Sequence, residues 1–103
     1  MKVTVGTNVL IRAFNRDDAK QAKKAIKVWE EATLVVITLS SLCDFVWVLL
    51  RSYGIEALDI SEALKTLISA TNVEVNRPAV EAGISQLEVG GDFTDAVIAY
   101  EGK

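Results

Sequence analysis

A chain of 103 residues, half of them apolar and with a net charge of −3, is one small domain with enough hydrophobic material for a core; this excludes a disordered chain and a generic polyanion binder. The unbroken apolar runs, "LVVI" and "FVWVLL", fall well short of the roughly 20 residues of a membrane span, and the N-terminus lacks the basic-then-apolar pattern of a secretory signal. There is no histidine and Cys43 is the lone cysteine, so no internal disulfide forms, as suits a cytoplasmic protein, and any acid–base or metal chemistry rests on carboxylates, Lys, Tyr or Cys43.

Lys2 to Val5, "KVTV", read as a first strand, followed by Gly6, Thr7 and Asn8 and then an apolar stretch from Val9 to Phe14. A helix is expected from Asp17 or Asp18, both natural N-caps, with Ala19, Ala22, Ile26 and Trp29 at helical spacing. Arg12, Arg16, Lys20, Lys23, Lys24 and Lys27 gather in this part of the chain, as a solvated helix face or a local basic patch. "LVVITL" reads as a second strand, apolar on both faces as buried parallel strands are. "SSLCDFVWVLLRSYG" is expected to be a helix capped by Ser41 and ended by Gly54. It is apolar nearly all round, which places it deep in the core or at an interface.

A further helix is expected from about Asp59 to Ala70, with Ile60, Leu64, Leu67 and Ile68 on one face. "NVEV", residues 72–75, reads as the third strand. The next helix starts near Asn76, with Pro78 in its first turn, where no N–H is needed, and carries a stripe of Val80, Ile84 and Leu87. Gly90 and Gly91 break it. A last helix places Phe93, Ala96, Val97 and Tyr100 on one side.

Strands separated by helices predict an α/β domain over residues 1–103, a three-layer α/β/α fold with a short parallel sheet and helices on both faces. In such sheets the crevice lies at the carboxyl ends of the strands. Gly6, Thr7 and Asn8 fall there, as do Ser40, Ser41 and Asp44, and Asp92, Thr94 and Asp95 open the last helix. Three carboxylates at one mouth, without histidine, suit Mg²⁺ or Mn²⁺ and phosphoryl chemistry. The same spacings, Ser41 to Asp44 and Asp92 to Asp95, are also those of capping boxes, and acids in a first helical turn are favoured by the dipole alone.

Three segments carry a resemblance. "VTVGTNVLIR" is similar to the opening of the PIN-domain family, V-D-T-N-V-L-I. "LCDFVWVLLRSYGI" resembles its second motif, an acid opening an aliphatic and aromatic helix, and "GGDFTDAVIAYEG" resembles its third, D-x-x-D-A-x-I-A. The order and spacing agree over essentially the whole chain, and the likeness is to the VapC-type toxins of bacterial toxin–antitoxin pairs.

The resemblance implies a PIN-like fold and a Mg²⁺- or Mn²⁺-dependent endoribonuclease that cleaves RNA, with a cognate VapB-type antitoxin and a homodimeric state. It makes Asp44 and Asp95 metal ligands and Asp92 a further catalytic acid. Thr7 orients the first acid and Asn8 supports the loop. Gly6 stands where the family carries that first aspartate, which implies a weakened enzyme that Gly6→Asp restores, at a loss of stability that Mg²⁺ recovers. The chain stops before the family's fourth strand, which leaves strand one as a bare edge. The alternative is a catalytically inert PIN-fold module for dimerisation or antitoxin binding, with "FVWVLL" and the helix from Ile60 to Ile68 as candidate surfaces. An unrelated doubly wound domain whose acids merely cap helices is the third reading.

Overall fold

Solvent-facing Lys2 and Thr4 alternate with half-buried Val3 and buried Val5 in the computed structural model, which describes residues 2–14, 27 and 29–102. That period of two makes strand β1 (Lys2–Val5). It pairs in parallel with β2 (Leu34–Ile37), which pairs in parallel with β3 (Val73–Glu74), in the order β1-β2-β3. The sheet is therefore parallel and β1 lies at an edge, as expected. The register sets Val3, Val35 and Val73 in one row, with Val5 beside Ile37 on the same face. This face meets the core, where Val35 is wholly enclosed. On the other face Leu34 and Val36 are half-buried, while Thr4 and Glu74 are exposed. Among the described residues, then, the second strand is fully buried on one face, not on both.

Helix α1 (Thr7–Phe14) follows β1 directly, and turns Leu10 into the core. The apolar stretch after Asn8 is thus helical. The expected helix beginning at Asp17 or Asp18 falls largely outside the described residues, as do Arg16, Lys20, Lys23 and Lys24; Trp29 to Glu31 are helical, and Arg12 and Lys27 are exposed.

Helix α2 (Leu39–Arg51) begins earlier than Ser41. Its N-cap is Thr38, whose hydroxyl accepts a hydrogen bond from Ser41 N at 3.2 Å. Leu42, Phe45, Val46 and Leu49 line its inner face, while Trp47, Leu50 and Tyr53 stay exposed. Gly54 adopts φ 61°, a left-handed turn open to glycine, and Ile55 N then donates to Leu49 O at 3.0 Å.

Helix α3 (Ala57–Ser69) buries Ile60 and Leu64 completely. Of the surface expected along Ile60 to Ile68, Ile60 and Leu64 are core while Leu67 and Ile68 stay half-buried, and Leu58 is the large apolar side chain that α3 exposes. Among the described residues the buried hydroxyl of Ser61 has no hydrogen-bond partner. Helix α4 (Arg77–Glu88) takes Asn76 as N-cap, with Asn76 Oδ1 accepting from Ala79 N at 3.3 Å, and buries Val80, Ile84 and Leu87 as the stripe requires. Gly90 breaks the chain at φ 83° before α5 (Phe93–Glu101), which buries Phe93 and Val97. The buried side chains of sheet and helices form one cluster. The fold is the expected mixed α/β class.

Arg77 ties this layer together. Its Nε donates to Ile68 O at 3.0 Å, and its Nη2 donates to Ala70 O at 3.3 Å and Val73 O at 3.0 Å. The fork bridges Ile68 and Ala70 at the end of α3, where a cation is also favoured by the dipole, to Val73 in β3. Arg77→Met should lose about 1–2 kcal/mol, discounted for partial exposure, and Arg77→Lys, without the planar fork, should recover only part. Chemical denaturation reads this directly; an unchanged midpoint in Arg77→Met would rule out the clamp.

Candidate functional site

The carboxyl ends of β1 and β2 are joined by their following helices. Gly6 O accepts from Leu10 N at 3.2 Å, so Gly6 is the N-cap position of α1 and Thr7 its first residue. The Thr7 hydroxyl donates to Ser41 O at 3.4 Å, a contact spanning 34 residues. It locks the start of α1 to the first turn of α2. At the far end of α1, Phe14 meets Phe45 edge to face, with ring centres 6.0 Å apart. Asn8 is exposed in the first turn of α1.

The start of α5 meets α2 from the other side. Helix α5 packs against α2, close enough that Thr94, Asp44, Asp92 and Glu101 all act on the Cys43 thiol. The segments around Gly6, Asp44 and Asp95 therefore converge on the first turns of α2. Asp92 is the N-cap of α5, its Oδ1 accepting from Asp95 N at 2.9 Å, which is the capping role its spacing allowed. Asp92 and Asp95 line one cavity of about 450 Å³ with Gln86 and Tyr100.

Asp44 has no such role. With Thr38 as the cap, it sits in the second turn of α2, exposed, and the capping box from Ser41 to Asp44 does not form. Serine is the stronger capping type, but the strand end decides: β2 pairs as far as Ile37, which leaves Thr38 extended at the turn into the helix.

The structure thus unites Asp92 and Asp95 and sets Asp44 near them on a neighbouring helix. The expected closure of all three into one ligand set is not found, since no group of three His, Cys, Asp or Glu side chains among the described residues is placed to hold a metal ion. Gly6 brings no donor, and one oxygen of Asp92 is engaged in capping. As it stands the donor set does not fit a Mg²⁺ or Mn²⁺ ion.

Burial pushes the Cys43 thiol above its ordinary value; the Thr94 hydrogen bond works against this, and the charges of Asp44, Glu101 and Asp92 add to it. A folded value above the unfolded one gives stability that is full below the unfolded pKa and is lost as pH rises through the folded pKa. The alkylation rate of Cys43 should therefore reach half its plateau above about pH 8.5, the value for a free thiol. Asp44→Asn should lower that midpoint and Thr94→Val should raise it. A midpoint at or below that of free cysteine would show that burial and the three carboxylates do not govern the thiol.

Comparison with protein-family models, curated proteins and solved structures gives no match to the chain. No described helix is long and apolar enough to cross a membrane. The fold is that of a parallel α/β domain, and the cavity that holds Asp92 and Asp95 is lined by residues of α4, α5 and the turn between them.

Proposed function

We propose that this chain is a PIN-like domain of the VapC type whose RNA-cleaving site is one acid short. The observation that supports this reading most is the convergence of the three resembling segments, through the hydrogen bond from Thr7 to Ser41 and the packing of α5 on α2. Asp44 supports it further, because an exposed acid in the second turn has no capping role to explain it. In this reading RNA is the substrate class, Asp44, Asp92 and Asp95 are the surviving acids, and Thr7 and Asn8 hold the loop at residue 6. Mg²⁺ or Mn²⁺ is the implied cofactor, and no step is assigned to it because the donor set is incomplete. A VapB-type antitoxin and a second copy are the implied partners.

The test is cleavage of a mixed RNA pool by the chain and by Gly6→Asp, each with and without Mg²⁺ or Mn²⁺. The parent should be weak or inert and Gly6→Asp should cleave only with metal. Asp95→Asn in the Gly6→Asp background separates the protein's own activity from contaminating nuclease. A folded Gly6→Asp protein that leaves RNA intact with both metals overturns the reading.

A second reading, an inert module for dimerisation or antitoxin binding, is favoured by one observation. Trp47 and Leu50 on the outer side of α2 and Tyr53 just beyond its end are 58%, 37% and 47% exposed, the kind of apolar patch that marks an interaction surface. Sedimentation should then show a dimer that Trp47→Glu dissociates. A monomer across the micromolar range would sink the self-association half of this reading.

A further inference from the structure

We draw no further inference here: the strongest candidate, the apolar groove of about 770 Å³ between α1, α2 and α3 lined by Leu10, Phe14, Trp29, Phe45 and Leu67 and rimmed by Asp59 and Glu62, carries nothing because nothing in the structure shows what covers it.

Discussion

Gly6→Asp is expected to fold as the parent does and to gain a Mg²⁺-dependent stability that the parent lacks. Glycine is required where φ is positive or where another group crowds the Cα. Neither holds at residue 6. Its φ is not positive, unlike those of Gly54 and Gly90, and a Cβ added there meets nothing within 4 Å. The position is exposed and caps α1. Aspartate outranks glycine at an N-cap by only a few tenths of a kcal/mol, and the positive end of the helix favours its charge. Repulsion from the acids of α2 and α5 acts the other way. Without metal the two effects oppose, and the expected net is a small loss.

The metal term is larger. A cation that binds the folded state alone adds ~2.7 kcal/mol at a hundred times its dissociation constant, a rise of several degrees in Tm for a domain this size. The parent should shift by far less. Cleavage should rise with the same substitution, by at least about a hundredfold, since Lewis-acid stabilisation is worth several kcal/mol and each 1.36 kcal/mol is a factor of ten. Equal Tm values with and without Mg²⁺ in Gly6→Asp would mean that the acids of α2 and α5 do not reach residue 6. Gly6→Asn separates charge from capping: it keeps the cap and should show no metal response.

The elements most legible in the sequence are those with a local cause. Strand β1 alternates in four residues, and α4 is announced by Asn76 and Pro78 before a regular stripe. Helix α1 was hidden for the opposite reason. Eight residues long, with β-branched Val9 and Ile11, it has weak local preference, and its place comes from burying Leu10 and Phe14 against α2. The spacing of Leu10, Ala13 and Phe14 was the available signal. The site divides the same way. Asp92 capping Asp95 is local and follows from the spacing of those two residues. The contacts that bring these segments together, Thr7 on Ser41 and α5 on α2, link residues dozens of positions apart. No periodicity encodes such a pair, so the mouth could be located from strand ends but its donor geometry could not.

Gly83→Ala should destabilise the domain, although glycine to alanine in a helix interior ordinarily gains up to about 1 kcal/mol. Gly83 lies in α4 and is buried against Phe93, the first residue of α5. A Cβ there would clash with the Cδ2–Cε2 edge of the Phe93 ring, closer than Cβ atoms approach. That ring is 2% exposed and sits in the core cluster, so it has no free space into which to swing. Overpacking of this kind costs typically about 1–3 kcal/mol, which offsets the propensity gain and leaves a net loss of about 1 kcal/mol in mid-range, several degrees in Tm. The effect extends to the mouth, because Phe93 lies between the capping Asp92 and Thr94, which acts on the Cys43 thiol. Pushing the ring away from α4 displaces both. Gly83→Ala should therefore also move the alkylation midpoint of Cys43, which a purely local loss of packing would leave in place. Phe93→Leu in the Gly83→Ala background removes the clashing ring atoms, and the two changes should together cost less than the sum of each alone. Additive losses would show that Gly83 and Phe93 do not share this contact, and that the packing of α4 on α5 is not what places Asp92 and Asp95.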